Sequence, residues 1–93
     1  MILRGTIIEE VKAGHTSVIV RFEKDKTKQH FELKCEFNPW THKMRKWDLW
    51  DFKIRFSSEI FTDPKTQQKS YFTHLICSDA RLFHENGSVG NNY

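Results

Sequence analysis

The chain has 93 residues, of which 38% are hydrophobic and 14% aromatic, and its formal charge is +3. That length holds one core and not two. No apolar run approaches the roughly 20 residues of a membrane-spanning helix, and the mild excess of Lys and Arg favours an anionic partner. The opening "MILRGTII" lacks the layout of a signal peptide, so a cytoplasmic protein is expected. Cys35 and Cys77 form no CxxC motif and read as reduced, buried thiols.

In chain order, "ILRGTIIEEV" reads as a first strand, with Gly5 at a bend or a close backbone approach. Ala13-Gly14 makes the next turn. In "TSVIVRFEK" Val18, Val20 and Phe22 point one way, and Ser17, Ile19, Arg21 and Glu23 the other. "QHFELKCEF" is a third strand, with Phe31, Leu33, Cys35 and Phe37 opposite His30, Glu32, Lys34 and Glu36. Turning Phe31 outward would drive Glu32, Lys34 and Glu36 into the core, so Phe31 is assigned to the core.

Asn38-Pro39 stops this strand, since proline cannot donate to a ladder. "WTHKMRKWDLW" follows, with the composition of one or two helical turns and a loop. The fourth strand, "DFKIRFSSEIF", sends Phe52, Ile54, Phe56 and Ile60 inward and Lys53, Arg55, Ser57, Glu59 and Phe61 outward. "TDPKTQQKS" connects it to a final strand, "YFTHLICSDARLF". Residues 1–84 form the expected domain, and residues 85–93 a flexible polar tail. An all-β domain of five strands, with a bent, Gly-bearing first strand and a short helical insert between strands 3 and 4, is the plan of an OB-fold barrel. An SH3-like barrel is the competing plan, but it has no need of the Trp-rich insert.

Over most of residues 3–83 the chain resembles the single-stranded DNA-binding protein family, and more closely its short bacterial and phage OB-fold relatives. The resemblance rests on "LRGTII", "TSVIVRFEK", "FELKCEFN", "RKWDLWDFKIRF" and "IFTDPKTQQKSYFTHLIC", taken in order and spacing. Trp50-Asp51 stands where that family usually has Gly-Asp or Gly-Ser. The ending "ENGSVGNNY" differs from the acidic tail with which long bacterial members recruit partners, so such recruitment is not implied. The resemblance implies binding of single-stranded DNA in replication or recombination, an aromatic at Phe61 that stacks on a base, and a last strand with Thr73, Leu75 and Cys77 inward. It also implies that Phe72 and His74 face outward.

Binding a single strand without sequence preference needs aromatic platforms along a groove of cations. Each stacked base contributes ~1–3 kcal/mol, and phosphate contacts make affinity fall with salt. The candidates are Phe61, Trp40 and Phe72 for stacking, and Arg21, Lys34, Lys53, Arg55, Lys65 and Lys69 for phosphates. The bland alternatives are a Phe61 that lids its own loop and lysines that merely solvate turns. Trp47 and Trp50, spaced i and i+3, are expected to share a helical face and plug the barrel. Trp40 is open to either role.

The histidines and cysteines match no zinc spacing, and no phosphate loop or nucleophile motif is present. A binding protein is therefore expected, not an enzyme, with no cofactor and no metal. Useful affinity from so small a domain calls for a homo-oligomer, with Ile19 and Ile76 as contact candidates. RNA binding rests on the same physics, and a protein-interaction module is the alternative from another class. OB topology sets strands 3 and 5 side by side, so Cys35 and Cys77 are expected near each other, reduced unless the protein is oxidised.

Overall fold

Period-two alternation of apolar and polar residues forms the strands. The computed structural model describes residues 1–84, and the expected polar tail lies outside them. The strands are β1 (Ile2–Ile7), β2 (Ser17–Phe22), β3 (Phe31–Cys35), β4 (Leu49–Thr62) and β5 (Lys69–His84). They pair in the order β1-β2-β3-β5-β4, and β4 returns to β1, closing the sheet into a ring. Every pairing is antiparallel except that of β3 with β5.

The inward faces meet as the alternation requires. Ile7, Val18, Val20, Leu33, Phe52, Ile54, Cys77 and Ala80 are buried together. Phe22, Phe31 and Phe37 are half-buried at the margin of this core, and the rings of Phe22 and Phe31 lie 5.3 Å apart. Each fully buried large side chain contributes ~1.5–3 kcal/mol. Gly5 serves close approach: a Cβ there would stand 2.9 Å from the Arg21 carbonyl oxygen and 3.2 Å from Cδ1 of Phe22.

The expected helical insert is not formed, and the described residues contain no helix. Asn38 Oδ1 accepts hydrogen bonds from the backbone N–H groups of Trp40 and Thr41, at 2.9 and 3.3 Å. One α-type bond follows, from the His42 N–H to the Asn38 carbonyl at 3.0 Å, and the Lys43 N–H then donates to the Trp40 carbonyl at 3.1 Å in a tighter turn. Lys43 then enters the left-handed region at φ 66°, which ends the turn before a second can form.

Without a helix, Trp47 and Trp50 share no face. Trp50 is buried, as expected of a plug, but Trp47 is 49% exposed and does not plug the ring. Met44, fully buried, takes that place. The Trp47 N–H instead donates to the Ile7 carbonyl at 2.6 Å, tying the loop to the end of β1.

Strand length departs from expectation too. β4 and β5 run for 14 and 16 residues, against five or six in each of β1, β2 and β3. The ring uses only part of them. Pairing of the two strands continues from Ser57↔His74 to Thr62↔Lys69 as a two-stranded ribbon that reaches about 20 Å past the ring. Phe56 and Ile60, expected in the core, are therefore 59% and 58% exposed. Thr73, expected to face inward, is exposed as well, Leu75 is half-buried, and Cys77 is buried as expected. At the tip, residues 63–68 connect the strands, six residues against the nine expected, and Asp63 closes the connection. It donates its N–H to the Gln68 carbonyl at 2.8 Å and accepts on Oδ1 from the Lys65 N–H at 2.8 Å.

Candidate nucleic-acid interface

Register, not sequence distance, decides which cations meet. Lys34 on β3 is the partner of Ile76 on β5, and Ile76 is the partner of Arg55 on β4. Neighbouring strands lie about 4.8 Å apart, so Lys34 and Arg55 stand roughly 10 Å from each other across Ile76. Lys53 follows on the outer face of β4, where the register shifts between Lys53 and Ile54. Arg21 is half-buried on β2. It stands four positions from Ser17, the partner of Lys34, or about 13 Å along the strand.

Acids temper this face. Arg55 Nη2 donates to Glu36 Oε2 at 2.7 Å, with the two side chains 56% and 46% exposed. An ion pair so open to water is worth at most ~1 kcal/mol. An incoming phosphate can take the place of Glu36 at small cost. Ser17 Oγ donates to Glu32 Oε2 at 2.9 Å, and Lys34 stands exposed between Glu32 and Glu36.

The ribbon carries the aromatic groups. Phe61 and Phe72 meet edge-on, with centroids 5.7 Å apart and planes at 85°. They are 58% and 49% exposed, so Phe61 does not lid its own loop. An edge-on pair leaves ring faces open for stacking. Glu59 sits on this same side, 3.7 Å from Nε2 of His74. Lys65 and Lys69 are exposed at the tip.

On the opposite side of the ribbon, Phe56, Ile60 and Tyr71 form an exposed apolar stripe. Sequence reasoning missed this stripe. The letters carried no signal for it, because the apolar alternation of β4 runs unchanged from the ring into the ribbon. Where β3 and the ribbon diverge, a groove of about 390 Å³ opens, with Phe31, Phe56 and Leu75 on its apolar wall and His30, Lys34 and His74 among its polar groups. Phe31 is thus both the margin of the core and a wall of this groove.

Trp40 is not brought to the ribbon. It lies on the loop that leads into β4, at the far end of that strand from Phe61, 39% exposed with the Arg45 guanidinium 3.7 Å above its ring. Lys46 is placed likewise 4.9 Å from the ring centroid of Trp47. The loop therefore holds two aromatic–cation pairs of its own. On β1 and β4 Arg4 grips Asp51 with two hydrogen bonds, of 2.8 and 3.2 Å. These bonds and the nearby charges of Arg4 and Arg81 hold the Asp51 carboxyl below the usual carboxylate range.

Among solved structures, the ring is similar to that of the mitochondrial single-stranded DNA-binding proteins of S. cerevisiae. Two crystal structures of Rim1 (Form2), one selenomethionine-labelled, each match with a TM-score of 0.58, covering 92% of this chain and 95% of theirs. Sequence identity is 15% and 16%, so the likeness is one of fold. No protein-family model matches the chain, and no curated protein matches it.

Proposed function

We propose that this protein binds single-stranded DNA by sequestration, without catalysis, in an OB-fold. The observation that carries the reading is the exposed Phe61–Phe72 pair, held on a ribbon between the tip lysines Lys65 and Lys69 and the ring cations Lys53, Arg55 and Lys34. Bases stack on the two rings while the cations follow the backbone. Stacking accepts any base, so sequence preference is slight. The likeness of fold to mitochondrial single-stranded DNA-binding proteins supports this reading.

The test is anisotropy of a labelled oligo-dT, titrated with protein at about 50 and 200 mM salt. Saturable binding that weakens with salt is the expected result. A flat titration at both concentrations would remove the proposal. Oligo-U in the same assay separates RNA from DNA, since the choice turns on the 2′-hydroxyl.

The exposed stripe of Phe56, Ile60 and Tyr71 favours a second reading, a protein-interaction surface. One ring covers few nucleotides, and copies joined through this stripe or through Ile19 and Ile76 would cover more. Association through apolar side chains survives the salt that strips away nucleic acid, which separates the two readings.

A further inference from the structure

The ring closes where β3 and β5 run parallel, over three register pairs: Leu33↔Leu75, Lys34↔Ile76 and Cys35↔Cys77. It is the one parallel seam among the described strands, and its last pair is two cysteines. Directly opposed residues on neighbouring strands lie about 4.8 Å apart, inside the 4.4–6.8 Å that Cα atoms of a disulfide span. Just past the pair, the Glu36 N–H donates to the Cys77 carbonyl at 2.9 Å, so the strands are held together there. Both side chains turn to the inner side of the sheet, with Leu33 and Leu75.

The two thiols lie close enough to perturb each other, which pushes Cys35 up and draws Cys77 down. The Cys77 thiol also donates to the Asp79 carbonyl at 3.2 Å. Cys77 is fully buried and Cys35 only half so, so a small oxidant reaches the pair from the Cys35 side.

We propose that Cys35 and Cys77 are a site of reversible oxidation, forming an intramolecular disulfide that staples the parallel seam of the ring. The oxidant is hydrogen peroxide. Its O–O bond breaks, the S–S bond forms, each thiol gives up its proton, and two waters leave. The sulfur pair loses two electrons and the peroxide gains them. The bridge closes a loop of roughly 40 residues, which restricts the unfolded chain far more than the folded one. The outward row of Lys34, Ile76 and Arg55 lies on the other side of the sheet, so the staple does not depend on what the ring binds.

The full chain treated with hydrogen peroxide should lose two hydrogens by intact mass. Non-reducing peptide mapping should then show one cross-linked Cys35–Cys77 peptide. Tm should rise by about 10 °C over the reduced form and fall back with dithiothreitol. Cys35→Ser, at the more exposed position, should fold and lose the response to peroxide. Sulfenic or sulfinic adducts without a cross-link would overturn the proposal. So would cross-links found only between chains, or a bridged form with unchanged or lower Tm.

Discussion

Phe52 and Phe61 stand on the same strand, β4. The first is fully buried inside the ring, and the second is 58% exposed on the ribbon. Phe52→Ala should cost about 3–5 kcal/mol of stability, through lost burial and the cavity left behind. Phe61→Ala should leave Tm nearly unchanged and weaken oligonucleotide binding by ~1–3 kcal/mol, roughly 5- to 150-fold. Thermal melts and anisotropy on both variants check this, and a large drop in Tm for Phe61→Ala would show that its ring is structural. Inside the ring, single residues were legible where neighbouring charges fixed the facing. Phe31 had to turn inward because Glu32 and Lys34 could not, and it does. Trp47 carried no such constraint, since nothing in its letters announces a backbone φ of 76°.

The first three strands were legible because a ring of this size gives each strand one wet face and one dry one. The ribbon was not, because β4 keeps its alternation after its core has ended: Phe52, Ile54, Phe56 and Ile60 form one period-two pattern across two environments. The insert misleads for a different reason. Its Trp-rich, basic composition suits a helix, and Asn38 caps a first turn, but the left-handed Lys43 stops it there. The ribbon and the adjoining face of β4 are the elements on which the binding proposal rests, and their cations should set its salt dependence. Replacing both Lys53 and Arg55 with Ala should reduce the slope of log K against log salt by about 1.4, some 0.7 for each phosphate no longer neutralised. An unchanged slope would place the groove elsewhere on the ring.

The whole molecule carries a net charge of +3, and its folded form holds at least two carboxyls below their usual range. Asp51 is held by its hydrogen bonds with Arg4, its register partner across β1 and β4. Asp25 is held by the Thr27 hydroxyl and the Gln29 N–H. A depressed carboxyl adds stability above its unfolded pKa, near 4, and that stability is lost as pH falls through the lower folded value. Thermal melts should therefore fall as pH drops below about 4, and less steeply in Asp51→Asn. Acid limbs of equal steepness would show that the Arg4–Asp51 clasp contributes nothing to the pH response.

The parallel seam also sets the order in which the chain can assemble. β4 and β5 are neighbours in sequence and need only a six-residue connection to pair, whereas β3 must wait for residues 75–77 to arrive. The entropy of closing the longer loop falls on that last pairing, and pairings distant in sequence are the slow ones. Until it forms, β1 to β3 are an open meander with the far edge of β3 bare. During synthesis the ring cannot shut before residue 77 has emerged, so Lys34 of β3 and the aromatic ribbon come into register in a single late step.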